Sequence, residues 1–173
     1  MGSVRAYVLL VATIIGVAPA ERYANLSVGA RGKVTIITED GRRIRPPIDD
    51  EQVGIQRWAL APDRESVGWL ILYPFCCTAY PLPEKLVVFS NGQLHTFKGG
   101  FGEPIWRWRF QDRGKRVAFY EETPHGSQGL HYELWDVARG QRVAEYSPTY
   151  DENGRVIARP NEPSWVQALE AMR

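Results

Sequence analysis

The sequence lacks an excess of charge of either sign. Lysine and arginine together number 21 and aspartate and glutamate 20, which leaves a formal net charge of +1 at pH 7. A protein that binds nucleic acid or an acidic membrane surface through its overall field needs a basic surplus. The composition therefore predicts no nucleic-acid partner.

The sequence also lacks an apolar run long enough for a comfortable membrane span. Residues 6–17 are almost entirely apolar, whereas a spanning helix needs about 20 apolar residues. Arg5 precedes this run, and Ala18-Pro19-Ala20 follows it with the small-x-small pattern of a signal-peptidase site. We therefore predict a signal peptide at 1–20, with a retained anchor as the alternative. A single secreted or periplasmic domain at 21–173 would then have no stable membrane span.

Recognisable catalytic motifs are missing as well. There is no Gly-x-Ser-x-Gly nucleophile elbow and no phosphate-binding glycine loop. The cluster Gly99-Gly100-Phe101-Gly102 is interpreted as a connection between repeats, and not as a ligand loop. A hydrolase would need a carboxylate pair such as Glu121 and Glu133, and no motif accompanies that pair. We expect a protein that is not an enzyme and has no cofactor or metal.

Aromatic and turn-forming residues, in contrast, are plentiful. The chain has 6 Trp, 8 Tyr and 6 Phe, together with 16 Gly and 12 Pro. This composition is typical of a globular domain with an aromatic core and many short strands joined by tight turns. A hairpin is predicted at 33–45 and strands at 52–60, 67–73, 86–90 and 93–97, whereas residues 24–32 are predicted to be irregular.

A repeat organises most of these strands. Residues 105–146 alternate four strand-like segments with turns, which predicts a four-stranded antiparallel meander. Tryptophans Trp58 and Trp108, and the hairpin glycines Gly41, Gly92 and Gly140, recur at intervals of about 50 residues. Such a period is typical of repeat architectures.

The repeat resembles those of WD-type and TolB-type β-propellers. The resemblance rests on Trp58-Ala-Leu-Ala-Pro-Asp, on the segment that follows Trp108, and on Tyr132-Glu-Leu-Trp-Asp136 before Gly140. It covers roughly residues 33–147 and implies a mainly β fold of propeller-like meanders, about two and a half blades.

That number of blades is a departure from the family, because closed propellers use about four to eight. Three outcomes are open. Further copies of the chain could complete the structure through open sheet edges, the repeats could curl into a small twisted sheet or barrel-like sandwich, or the C-terminal tail could cap the stack.

The tail contains the one convincing helix, predicted at about 161–172. Asn161 is a suitable N-cap, and Trp165, Leu169 and Met172 form an apolar stripe. We expect this stripe to pack on the sheet, with a partner-binding helix as the alternative. Asn153-Gly154 predicts a further small hairpin before the helix.

The most unusual local feature is the pair Cys76-Cys77, which are the only two cysteines. They lie in a proline-rich loop at 73–83, in an expected oxidising compartment. A disulfide between adjacent residues is strained. The favoured interpretation is buried thiols of structural use. The alternatives are a rigid or redox-active disulfide and bridges between subunits.

His125 occupies the same place in its repeat as the cysteine pair does in the preceding one. If the repeats stack regularly, both loops project from one rim, where Cys76, Cys77 and His125 could form a binding, redox or metal site. Their spacing matches no closed zinc pattern, and an exposed loop histidine is the plainer interpretation.

Two further candidate binding residues are Trp106 and Trp108, which alternate with arginines. This alternation could offer sugar stacking or cation–π contact. It is also typical of a strand with one aromatic, buried face and one polar face, and that interpretation is favoured.

Together these observations predict an exported, non-catalytic interaction or scaffold module. Its partner would be a second copy, bound through open sheet edges, or another extracytoplasmic protein. The main alternative is a binding, redox or metal site at the rim formed by Cys76, Cys77 and His125.

Overall fold

A computed structural model describes residues 20–124 and 129–171 of the chain. The protein is mainly β, with antiparallel sheets and a C-terminal helix. This confirms the predicted fold class at that level. Within the described ranges the sheets close into neither a barrel nor a propeller. No helix in this part of the chain has the length and apolar character needed to cross a membrane.

Sheet 1 has three strands in the order β1-β2-β3. They are β1 (Tyr23–Val28), β2 (Val34–Thr38) and β3 (Arg43–Ile44). The predicted hairpin is confirmed by β2 and β3, but the prediction of an irregular segment at 24–32 is wrong. The register with β2 shifts between Tyr23 and Asn25, so buried and exposed side chains do not alternate regularly along β1. The strand is therefore identified by its pairing with β2 and by the burial of Tyr23 and Leu26, and not by its sequence pattern.

Sheets 2 and 3 are the predicted four-stranded meanders, each with its strands in sequence order. Sheet 2 contains β4 (Gly54–Leu60), β5 (Ser66–Tyr73), β6 (Leu82–Ser90) and β7 (Gln93–Phe97). Sheet 3 contains β8 (Ile105–Gln111), β9 (Arg116–Glu121), β10 (His131–Asp136) and β11 (Gln141–Tyr146). Local turn chemistry explains the agreement: at the β6–β7 turn Asn91 and Gly92 have φ of 50° and 75°, as a tight hairpin requires.

The three sheets stack in chain order. Strand β5 is buried on both faces: Trp69 belongs to the core shared with sheet 1, and Leu70 to the core shared with sheet 3. Sheet 3 in turn buries Phe119 toward sheet 2 and Tyr132 toward the tail. The successive layers are therefore sheet 1, sheet 2, sheet 3 and the C-terminal helix.

The C-terminal tail covers the outer face of sheet 3, which was one of the three arrangements that the sequence left open. The predicted small hairpin is present as β12 (Thr149–Tyr150) and β13 (Val156–Ala158), followed by α1 (Ser164–Glu170). Val166 and Leu169 are fully buried, with Trp165 packed partly against the same cluster.

The helix begins later than predicted. Pro163 occupies the N-cap position and no side chain caps the first turn. Asn161 has a φ of 53° and belongs to the preceding turn, so the prediction that it caps the helix is wrong. Met172, the last residue of the predicted stripe, lies outside the described residues.

Because neighbouring strands are antiparallel, the connections between them lie at two opposite ends of the sheets. The longer connections at 45–53, 74–81 and 98–104 leave the sheets at one end, named here the loop rim, and residues 122–124 and 129–130 lie at the same end. The turns at 39–42, 61–65, 91–92, 112–115 and 137–140 lie at the other end, the short-turn rim. The rims are aligned between sheets, since the Tyr23 amide donates to the Arg64 carbonyl at 2.7 Å on the short-turn rim.

Candidate functional site

Five of the eleven large apolar side chains that are exposed among the described residues lie on the loop rim. Their exposed fractions range from 38% to 59%, and they are Ile48, Val53, Phe75, Tyr80 and Phe101. The other exposed large apolar residues lie on strands, and none of the described short turns contains one. The two ends of the molecule therefore differ in chemistry, and the loop rim is the apolar one.

The β5–β6 loop at 74–81 forms the most prominent part of this rim. Phe75 and Tyr80 line an open concavity of about 410 Å³ together with Val53. Pro74 and Pro81 bracket the loop, and proline fixes φ and so restricts the backbone.

Cys76 and Cys77 lie in this loop as exposed, free thiols. The prediction of buried thiols is wrong, because the loop projects beyond the sheets and no core cluster covers it. The hydrogen bond that the Cys77 thiol donates to the Cys76 sulfur, together with the nearby charge of Cys76, raises the pKa of Cys77. A raised pKa lowers the thiolate fraction at neutral pH and with it the reactivity of that sulfur.

His125 lies outside the described residues, so its meeting with Cys76 and Cys77 stays a prediction. The other two candidates are described. Trp108 is buried between sheets 2 and 3, where its Nε1 donates to the Arg57 carbonyl at 2.8 Å. It is a core residue and not a ligand-stacking one. Trp106 is half-buried, and its Nε1 donates to the Glu122 carbonyl at 2.8 Å.

A buried polar cluster lies directly beneath the loop rim. It consists of Glu121, His131 and Glu133, which are 0%, 3% and 0% exposed. Glu121 and His131 are cross-strand partners on β9 and β10, and Glu133 follows His131 on the same strand face. The sequence suggested the Glu121–Glu133 pair and placed His131 at the start of the strand that follows Glu121, but it did not bring the three residues together as one cluster.

The cluster holds the linker 98–104 between sheets 2 and 3. Glu121 accepts hydrogen bonds from the Phe101 and Glu103 amides at 2.9 and 3.1 Å. Glu133 accepts one from the Gly100 amide at 3.0 Å. The Phe101 ring stacks on His131 with a centroid distance of 4.0 Å. The glycine-rich segment is therefore a connection between repeats, as predicted.

The two linker glycines allow this close approach. A Cβ atom on Gly99 would lie 1.8 Å from Oε2 of Glu121, and one on Gly100 would lie 2.5 Å from Oε1 of Glu133. Any side chain at Gly99 would push the linker away from the carboxylates. These two glycines are needed because the linker backbone contacts the carboxylates of Glu121 and Glu133. A bound ligand is not required to explain them.

The same three side chains offer ligand atoms within 4.8 Å of one another, a separation that a metal ion can bridge. Their oxygens are already used, however. Glu133 accepts from Arg142 at 2.7 Å, from Trp135 at 2.7 Å and from His131 at 3.2 Å. Arg142 supplies the compensating positive charge, and the stacked Phe101 ring covers His131. The donor set fits a polar clamp better than a metal centre.

Burial and hydrogen bonding act differently on the two carboxyl groups. Burial raises the pKa of Glu121, and its amide hydrogen bonds offset that only in part. Burial also acts to raise the pKa of Glu133, but hydrogen bonds from His131, Arg142 and Trp135 outweigh it and leave that pKa lowered. Both groups are covered by the linker, so neither faces a surface where a substrate could bind.

Comparison with known proteins gives little further information. No known protein family matches the sequence, and no curated protein matches it. One solved structure, described as the crystal structure of the eukaryotic initiation factor, is similar with a TM-score of 0.40 and 14% identity. That match covers 76% of this chain and 34% of the other, about a third of its length. The comparisons indicate no catalytic family.

Proposed function

We propose that this chain is an exported, non-catalytic interaction module that binds another extracytoplasmic protein through its loop rim. The observation that carries the proposal is the contrast between the two rims: five exposed large apolar side chains lie on the loop rim, and none lies on the described short turns. Clustered exposed apolar residues on a soluble protein typically mark an interaction surface.

The loop at 74–81 is the centre of the proposed surface. Aromatic residues are enriched in protein–protein interfaces, and Phe75 and Tyr80 are 40% and 50% exposed. The prolines that bracket the loop restrict its backbone, and a restricted loop loses less conformational freedom on binding. The rim therefore combines apolar anchors with a partly preorganised backbone.

The scaffold beneath the rim is proposed to be a short, open stack of propeller-type repeats. This proposal rests on the period of about 50 residues and on the identical strand order of sheets 2 and 3. Export is proposed from the apolar run at 6–17 and the Ala18-Pro19-Ala20 pattern. Both features favour a partner in an extracytoplasmic compartment.

Site-specific photo-crosslinking tests the proposal. A photoreactive amino acid is placed at Phe75 on the loop rim or, as the matched control, at Asn91 on the short-turn rim, and each variant is expressed in the native host. We expect a single major product from position 75 and none from position 91. Equal labelling from both positions, or none from position 75, would contradict the proposal. A product of twice the chain mass would assign the rim to self-association instead.

The exposure of both thiols favours a second candidate function, a redox or soft-metal site at Cys76 and Cys77. Thiol–disulfide exchange with a disulfide oxidant would join the two sulfurs and transfer two electrons and two protons to the oxidant. Native mass spectrometry of the mature chain, with and without reductant and chelator, distinguishes the states. A reductant-reversible loss of two hydrogens or a chelatable metal adduct supports this candidate. Free thiols without a metal adduct under every condition would exclude it.

A further inference from the structure

We propose that Arg57, Arg107, Trp106 and Tyr120 form a binding pocket for a small aromatic carboxylate. The pocket has a volume of about 330 Å³ and lies where the first strands of sheets 2 and 3, β4 and β8, approach each other. It is separate from the apolar concavity at 74–81 and does not depend on the proposed protein partner.

The first observation is a guanidinium nitrogen without an acceptor. Nη1 of Arg107 is buried and has no hydrogen-bond partner within the described residues. Its guanidinium lies over the Tyr120 ring, 5.9 Å from the centroid. A ring face stabilises a cation only partly, and a buried N–H group without an acceptor is costly. A bound anion would remove that cost.

The second observation is that strand β4 is distorted beside this cation. Its register with β5 shifts between Gln56 and Ala59, and Arg57 has a φ of 50°. Non-glycine residues in this region are strained, and bulges of this kind commonly redirect a side chain near a functional site. The Trp108 indole holds the bulge by donating to the Arg57 carbonyl. Arg57, which is exposed at this bulge, also lines the pocket.

The walls define the ligand class. The guanidinium of Arg107 matches the planar, two-oxygen geometry of a carboxylate. The rings of Trp106 and Tyr120 favour a flat apolar body beside that carboxylate. Glu122 also lines the pocket, and its negative charge disfavours a dianion such as phosphate relative to a monoanion. We therefore assign the pocket to an aromatic monocarboxylate.

Indole N–H signals in two-dimensional ¹H–¹⁵N NMR spectra of the mature chain test this assignment, with benzoate as the probe and sodium chloride holding the ionic strength constant. Trp106→Phe identifies the Trp106 signal. We expect a saturable shift of that signal, and at least tenfold weaker binding in Arg107→Gln and in Arg57→Gln. Arg113→Gln, an exposed arginine of the short-turn rim, is the matched control and should leave binding unchanged.

Three results would overturn the assignment. They are a shift that does not saturate, an equal response in Arg107→Gln and the parent chain, and tighter binding of inorganic phosphate than of benzoate. The first would show general anion screening, the second would remove Arg107 from the site, and the third would replace the carboxylate class.

Thermal unfolding separates this role from a structural one. Arg107→Gln removes a buried N–H group that has no acceptor, so its Tm should not fall far below that of the parent chain. Benzoate should raise the Tm of the parent chain by preferential binding to the folded state, and should leave the Tm of the variant unchanged. A large fall in the Tm of Arg107→Gln without ligand would contradict the proposal, because it would show that Arg107 stabilises the fold.

Discussion

At the scale of single residues, two buried glutamates with similar surroundings have opposite electrostatic properties. Glu121 accepts hydrogen bonds from two backbone amides, and burial raises its pKa. Glu133 accepts hydrogen bonds from the side chains of His131 and Arg142 in addition to a backbone amide, and its pKa is lowered. The side-chain hydrogen bonds that Glu133 accepts, first from His131 and then from Arg142, account for the difference in pKa.

Glu133→Gln is expected to lower the free energy of unfolding at pH 7 by about 1–3 kcal/mol, since it removes a fully buried charge that accepts hydrogen bonds from Arg142, Trp135 and His131. A carboxyl group whose folded-state pKa is lowered stabilises the protein above its unfolded-state pKa, and this stabilisation disappears as the pH falls through the folded-state value. The gap in Tm between parent and variant should therefore shrink below about pH 4.3. Thermal unfolding across pH 3–7 measures that gap.

Glu145→Gln is the matched control for this prediction. Glu145 also pairs with Arg142, at 2.9 Å, but its side chain is 56% exposed. Exposed ion pairs contribute about 0–1 kcal/mol, so this variant should change stability little. A gap for Glu133→Gln that stays constant from pH 7 to pH 3 would show that the lost charge is not the cause.

At the scale of elements, the linker 98–104 joins sheets 2 and 3 only because its backbone reaches the polar cluster. Gly99→Ala should lower the free energy of unfolding by about 1–3 kcal/mol, as overpacking of a buried contact does. The reason is that the added Cβ would lie 1.8 Å from Oε2 of Glu121. Urea unfolding measures the change.

Gly29→Ala provides the control, since a Cβ there would meet its neighbours only at ordinary contact distances of 3.6 and 3.7 Å. Its φ of −99° also suits alanine. Equal stability of the two variants would mean that the linker moves freely away from the cluster, and would contradict the clamp described above.

The elements that the sequence predicts are those specified by local chemistry. Asn91-Gly92 specifies its hairpin through two positive φ angles, and the alternation in β8 shows its buried face. Strand β1 and the late start of α1 depend instead on distant partners. The burial of Tyr23 and Val166 is decided by layers that form elsewhere in the chain.

The candidate sites were predictable to a smaller extent, for the same reason. The rim position of Cys76 and Cys77 follows from the repeat, but their exposure depends on how far the loop projects. Arg107 is visible in the sequence only as one member of an alternating strand. Its missing hydrogen-bond partner becomes apparent only when the neighbouring strand and its bulge at Arg57 are in place.

At the scale of the whole molecule, the outer faces of the first and last sheets differ in polarity and in whether another element covers them. The outer face of sheet 1 is largely polar, with Asn25, Ser27 and Thr35 on it. The outer face of sheet 3 is apolar and is covered by α1. A polar face can remain in water, whereas Tyr132 and its neighbours need the helix to shield them.

Leu169→Asp should therefore detach the helix and convert the end of sheet 3 into an association surface. Leu169 is fully buried, and truncation of such a side chain alone costs about 2–5 kcal/mol, to which a buried charge adds a desolvation penalty. Sedimentation velocity at matched concentrations should show a larger average mass for the variant than for the parent chain.

Gln167→Asp tests whether charge alone has this effect, because Gln167 is exposed on the same helix and bonds only to the Glu162 carbonyl at 3.2 Å. It should sediment like the parent chain. If Leu169→Asp also sediments like the parent while its Tm falls, the apolar face of sheet 3 does not drive association. The helix would then stabilise the last sheet without preventing further layers from adding to it.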